Sequence, residues 1–251
     1  MLLGYCTLEE IIQSGTDIAI LSIGSIEQHG PHLPVTTDWE IATALGKGVA
    51  EKSGGFYVPA FPVSTNRESM GHRGSAVGMS PKVLYDMLWD ICTCLKDQGF
   101  RKIGIIQAHG GVFILTALVR ELNATFQPHL MVAKLDYLEL WPGLIPAGIL
   151  ETNTELHAGE GETSLMLHLR PELVHMDKAV DWVPKKDVER GDLNYGTFLR
   201  YCPDGVWGEA KCATAEKGRK MLEFMIDGLT QRMERAFTLM EGKEKLGYSW
   251  F

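Results

Sequence analysis

The sequence predicts an α/β fold, a mostly parallel sheet covered by helices on both faces. Three observations carry this. Short apolar runs of strand length recur at Ile18–Ile23, Phe56–Val63, Ile103–Ile106 and Leu130–Leu135. Between them lie segments with apolar residues at helical spacing, such as Ile41, Leu45 and Val49, or Ile114, Leu118 and Leu122. No repeat, linker or low-complexity stretch divides the 251 residues, so one domain over 1–251 is expected. Continuous apolar strands alternating with helices are what a parallel sheet buried on both sides requires.

In chain order, Thr7 and Glu10 form a capping box that opens a short helix. Ile18–Ile23 is the first buried strand, and Gly30, Pro31 and Pro34 end regular pairing after it. Asp38 leads into a helix from Trp39 through Glu51, stopped by Gly54 and Gly55. Phe56–Val63 is the second strand. The polar stretch Ser64–Ser80 is too long for a simple connector and is expected to be functional. Pro81 starts a helix that runs to Gln98, with Gly99 beyond its end. The third strand, Ile103–Ile106, precedes Gly110, Gly111 and a helix; Leu130–Leu135 is the fourth strand. A Pro- and Gly-rich loop (Trp141–Gly148) leads to a helix over Glu160–Leu169, stopped by Pro171. Residues 178–205 read as polar and irregular, and a closing helix spans about Ala213–Phe237.

Composition excludes several classes. A formal charge of −8 argues against nucleic acid, whose phosphates are bound by an excess of Lys and Arg. No apolar run approaches the roughly 20 residues of a membrane helix, and Met1–Tyr5 lacks the character of a signal peptide. Five scattered cysteines read as reduced packing residues, which places the protein in the cytoplasm.

Chemistry-bearing residues cluster after the strands. Glu27, His29 and Asp38 are three good metal ligands in and after the break that follows the first strand. Residues two apart on extended chain point the same way, so Glu27 and His29 can face one cavity at the carboxyl edge of the sheet. The competing reading is an ordinary polar surface loop. His109 leaves the third strand at the same edge, as a ligand or as a hydrogen-bonded structural histidine. His157 precedes a helix on a flexible approach that suits a general acid or base. Glu160 and Glu162 open that helix, where acids are favoured by the dipole whether or not they do chemistry. Asn66, Arg67 and Arg73 in the polar stretch are candidates for substrate binding; the two arginines would suit a carboxylate or phosphate, the alternative being a solvated loop.

The run Ser25-Ile26-Glu27-Gln28-His29-Gly30-Pro31-His32-Leu33-Pro34, with Asp38 after it, closely resembles the signature of the creatininase (creatinine amidohydrolase) family. The His-Gly-Gly at His109, the run His157-Ala158-Gly159-Glu160 with Glu162-Thr163-Ser164, and Cys212–Gly218 match later family motifs in the right order. The resemblance implies a three-layer α/β/α sandwich with a dinuclear zinc or manganese centre, iron(II) being a further candidate, often in a hexamer. It implies a small-molecule amide as substrate, cyclic or otherwise non-peptide, attacked by a hydroxide between the two ions. Relatives deformylate a pyrimidine precursor or trim a peptide. The alternatives are a silent binding or scaffold protein on the same fold, or a single-metal hydrolase.

Carried over, the resemblance makes Glu27 a ligand of one ion, joined by His109, and His29 a ligand of the other, with Asp38 bridging. His157 becomes the acid–base residue, with Glu162 counted beside it. Creatininase has a glutamate ligand where this chain has Gly111, so a further carboxylate is needed to balance charge. Glu160, between two glycines, is expected to supply it, and Glu162 to cap the helix or orient its neighbours. Asn153 and Thr154 occupy the places of a substrate-holding Trp-Asp pair, so Asn153 is a candidate substrate contact and creatinine is not the expected substrate.

Overall fold

In the structure, a computed structural model, residues 4, 6–184 and 196–241 are described. Four parallel strands form the central sheet: β1 (Ile18–Ile23), β3 (Phe56–Tyr57), β5 (Lys102–Gln107) and β6 (Met131–Asp136), in the spatial order β3-β1-β5-β6. β2 (Ile26–Glu27) and β4 (Ala76–Val77) pair antiparallel as a separate ribbon, as do β7 (Asp181–Trp182) and β8 (Gly208–Glu209). The helices are α1 (Leu8–Ser14), α2 (Thr37–Ser53), α3 (Pro81–Asp97), α4 (Leu115–Phe126), α5 (Glu160–Leu169) and α6 (Ala215–Glu241).

Side-chain alternation divides the core into two layers. Ile20, Ile106, Ala133 and Leu135 face α2, α5 and α6. Ala19, Leu21, Ile23, Ile103, Ile105 and Val132 face α3 and α4. This is the three-layer α/β/α arrangement. Met221, Met225, Leu229, Met233 and Phe237 recur every fourth residue along α6 and form its buried stripe. Each such side chain contributes roughly 1.5–3 kcal/mol by leaving water. Thr7 caps α1 with the reciprocal Glu10 bond, and Ser80 caps α3 with Pro81 at its first position.

Several bounds differ from expectation for local reasons. β3 holds only Phe56–Tyr57, because Pro59 and Pro62 cannot donate to a ladder; the chain rejoins β1 through an isolated bridge at Phe61. Asp38 lies inside the first turn of α2 instead of ahead of it. The expected loop at Trp141 begins earlier, as a 3₁₀ segment over Tyr137–Gly143, and α6 continues to Glu241. Of the irregular stretch 178–205, residues 185–195 lie outside the described residues.

Candidate metal centre

β1 and β5 end level, with Ile23 opposite Gln107, so the chain leaves both strands at one edge of the sheet. Glu27 is held there by the β2–β4 ribbon, where it pairs with Ala76. Asp38 arrives on the first turn of α2, His109 just beyond β5, and Glu162 on the first turn of α5. Glu27, His29 and Asp38 are each 1% exposed, and His109 and Glu162 each 5%, so their charges must be matched inside the protein.

Three imidazoles are each anchored by a backbone carbonyl. His29 Nδ1 lies 3.0 Å from the Glu27 carbonyl, leaving Nε2 3.2 Å from Asp38 Oδ1 and 3.7 Å from Glu162 Oε2. His109 Nε2 lies 2.9 Å from the Thr65 carbonyl, leaving Nδ1 3.1 Å from Asp38 Oδ2. His157 Nε2 lies 2.7 Å from the Gln28 carbonyl, leaving Nδ1 3.8 Å from Glu27 Oε1. A ring N–H that donates to a carbonyl fixes the tautomer and turns the other nitrogen's lone pair toward the centre. Asp38 therefore has a free imidazole nitrogen beside each of its two oxygens.

Lone pairs facing carboxylates repel unless a cation lies between them. Without a metal, protons do this work. Burial disfavours charge on His29, but Asp38, Glu162 and Glu27 overcome it and raise it to about 10. His109 is raised well above its usual value against burial, chiefly by Glu27 and Asp38. Burial would push Asp38 up, yet His29 and His109 hold it well below the usual carboxylate range. Burial raises Glu27 to about 7 and also raises Glu162. His157 goes the other way: burial and the charge on His29 lower it to about 3. Asp38 Oδ2 and Glu68 Oε1 are buried without a hydrogen bond of good geometry. Mixed imidazole and carboxylate donors of this kind suit Zn²⁺ or Mn²⁺. Glu27, Asp38 and His109 form one set with ligand atoms within 4.8 Å of one another; His29, Asp38 and Glu162 form a second; Glu27, His29 and His157 form a third.

Of the residues expected at the site, the structure brings Glu27, His29, Asp38, His109, His157 and Glu162 together. Glu160 does not join them. It is fully buried on the other side of α5 and accepts from Lys217 Nζ at 2.6 Å, from Thr152 N and Oγ1 at 2.8 Å, and from Glu151 N. Glu162 is the acid of α5 that turns toward His29 and Asp38, since residues two apart on a helix diverge by roughly 200°. Asn66 also differs from expectation. Its amide donates to Ser25 Oγ, the Ile26 carbonyl and the Val77 carbonyl, and Ser25 Oγ in turn donates to Glu27 Oε2 at 3.0 Å. Asn66 thus braces Glu27 and has no donor left for a substrate. Arg67 lines the main cavity, whereas Arg73 lines a separate depression with Gln28, His72 and Asp204. Asn153 is exposed and outside the lining, and its neighbour Thr154 bonds to Glu209.

Sequence reasoning missed four supporting groups. Tyr137 donates to Glu162 Oε1 at 3.1 Å, and Ser25 braces Glu27. Glu155 accepts from the backbone N–H groups of Gly159, Gly161 and Glu162 and so caps α5; a Cβ on Gly159 would lie 2.8 Å from its carboxyl carbon. Glu68 stands beside His109, its Oε1 3.3 Å from Nε2. Two of them carried a signal, Ser25 as the first residue of the run around Glu27 and His29, and Glu68 as an acid within the polar stretch already read as functional. Ala158 adopts φ 53°, a left-handed conformation, and there its N–H reaches Glu162 Oε2 at 2.6 Å.

The cluster floors a cavity of about 770 Å³, with Leu138, Leu156 and Phe198 on its walls, Phe113 at its mouth and Arg67 as its one Lys or Arg among the described residues. No described helix is long and apolar enough to cross a membrane.

Comparison with known proteins identifies the family and the fold. Residues 4–233 match the family described as "Creatininase: Creatinine amidohydrolase". The creatinine amidohydrolase of Pseudomonas putida is 29% identical over 244 residues, covering 91% of this chain and 93% of that protein. The mycofactocin precursor peptide peptidase of Mycobacterium ulcerans (strain Agy99) is 29% identical over 248 residues, covering 93% and 90%. A solved structure described as "Creatininase Mn" is 28% identical, with a TM-score of 0.77 over 93% of this chain and 97% of its own.

Proposed function

The chain belongs to the creatininase family, and from that premise we propose that it is an amidohydrolase with two divalent ions at its centre. It is a metal-dependent hydrolase of C–N bonds. In the proposal, Glu27, Asp38 and His109 would hold one ion and His29, Asp38 and Glu162 the other, with Asp38 common to both sets. When bound, the ions lower the pKa of a water and polarise the substrate carbonyl. His157 handles the proton. With Nε2 donating to the Gln28 carbonyl, Nδ1 is the acceptor facing the cavity; it takes a proton from the attacking water and returns it to the leaving nitrogen. The Tyr137 hydroxyl and the Ala158 N–H keep Glu162 aimed at the centre. The apolar walls exclude water, and the cavity has the size of a small-molecule site. Arg67 at its edge fits a substrate that carries a carboxylate or phosphate. A homo-oligomer in the cytoplasm belongs to the same proposal.

The observation that carries this reading is Asp38, with a carbonyl-anchored imidazole beside each oxygen. Relatives that act on creatinine and on a peptide show that family membership does not name the substrate. The test is elemental analysis of protein purified without a metal-affinity tag, followed by chelation, reloading with Zn²⁺ or Mn²⁺, and assays on acidic and neutral cyclic amides. Two equivalents per chain and metal-dependent turnover are expected. Absence of bound metal and of turnover would favour a silent scaffold. A second reading makes His157 a ligand, since its Nδ1 lies within reach of Glu27 and His29; loss of metal in His157→Ala would select it.

A further inference from the structure

Gly111 and Glu68 compete for one volume. A Cβ on Gly111 would lie 1.8 Å from Glu68 Oε1, closer than any real contact, so the carboxylate occupies the space that a side chain at 111 needs. Glu68 sits on a 3₁₀ turn, Arg67–Ser69, at the end of a segment that grips the His109 turn. The Thr65 carbonyl accepts from His109 Nε2 at 2.9 Å, and Thr65 Oγ1 donates to the Gly111 carbonyl at 2.7 Å. Asn66 ties the same segment to Ser25, Ile26 and Val77. Glu68 Oε1 closes the grip 3.3 Å from His109 Nε2, with Glu27 Oε2 at 3.4 Å from the same nitrogen, and it is buried without a hydrogen bond of good geometry. On this turn Arg67 is exposed and Ser69 buried, and a half-buried glutamate between them ordinarily extends its carboxylate into water. This one turns an oxygen inward, beside Glu27, where an unmatched carboxylate is costly.

We propose that Glu68 is a positioning residue of the metal centre, acting through His109. Its carboxylate lies against the Nε2 edge, reinforces the N–H donated to Thr65, and so keeps Nδ1 and its lone pair directed at the cation shared with Asp38. Outer carboxylates on a ligating imidazole fix the ring and raise its basicity in this way. Gly111 is then required as the residue that leaves room for Glu68. The inference rests on the proposed metal centre.

The test is calorimetric titration of chelator-stripped protein with Zn²⁺, for the wild type, Glu68→Gln and Glu68→Ala, with the thermal midpoint of each metal-free protein measured alongside. Glu68→Ala is expected to weaken one equivalent by about 10–100-fold, the usual effect of losing such a partner. Glu68→Gln keeps an acceptor without the charge and is expected to fall between the two. Metal-free midpoints should not fall by more than about 2 °C, since Glu68 Oε1 has no hydrogen bond of good geometry to lose. Variants that titrate like the wild type would overturn the proposal. So would a weakening matched by a large fall in the metal-free midpoint of Glu68→Gln, which would make the role one of packing. A wild type that binds neither Zn²⁺ nor Mn²⁺ would refute the metal centre itself, a result distinct from unchanged Glu68 variants on a wild type that binds.

Discussion

The first turn of α5 carries two buried carboxylates with opposite surroundings. Glu160 faces away from the cavity and meets a cation built into the chain, Lys217 on α6, together with three donors from Glu151 and Thr152. Glu162 faces the cavity, where its nearest basic group is His29, itself shared with Asp38. The Lys217 contact and those donors hold Glu160 below the ordinary glutamate value against burial, while burial raises Glu162. A buried carboxylate whose cation is part of the fold ties elements together. One that faces a cavity and shares its nearest basic group with a second carboxylate is of the kind that suits a metal ion.

The strongest way to break this contrast is Asp38→Asn. A neutral amide is a poor bridge, so activity should vanish and at least one metal equivalent should be lost by elemental analysis. Unchanged metal content and turnover would remove the bridging role. His157→Ala should cut kcat by about 10²–10⁴-fold with metal content intact.

Glu162→Gln and Glu160→Gln sharpen the comparison directly. The first should lower metal affinity and leave the metal-free fold in place. The second should keep metal stoichiometry and cost about 1.5–3 kcal/mol of stability, the scale of a buried hydrogen bond to a charged group, read by chemical denaturation. The reverse pattern would exchange their roles. Glu160 also predicts a pH effect. Its folded pKa is depressed, so its contribution is fully present above the unfolded value of about 4.3 and is lost as pH falls through the lower folded value. Glu160→Gln should flatten that acid limb of the stability curve. The smallest effect is expected of Arg67→Ala, a raised KM for acidic amides with little change for neutral ones.

Much of the fold was legible because periodicity and punctuation are local. β1 and α5 have the bounds read from Ile18–Ile23 and Glu160–Leu169, and the Thr7–Glu10 capping box and the helix start at Pro81 are where the sequence placed them. The convergence of Glu27, His29, Asp38 and His109 was legible too, since parallel strands end at one edge of a sheet. Partners from other segments were not. Asn66 looked like a substrate contact until the β2–β4 ribbon claimed its amide. Arg73 shares a loop with Arg67, but it lines a separate depression.

The sequence by itself determined the layers, the strand edge that bears the chemistry and the kinds of donor gathered there, because each depends on residues close along the chain. Only the tertiary structure decided which acid of α5 faces the cavity and what fills the space over Gly111. Helical spacing says that Glu160 and Glu162 diverge, not which one turns inward. That choice belongs to Lys217 on α6, which claims Glu160, and the space over Gly111 belongs to Glu68 from a distant turn; such contacts exist only once the layers are packed.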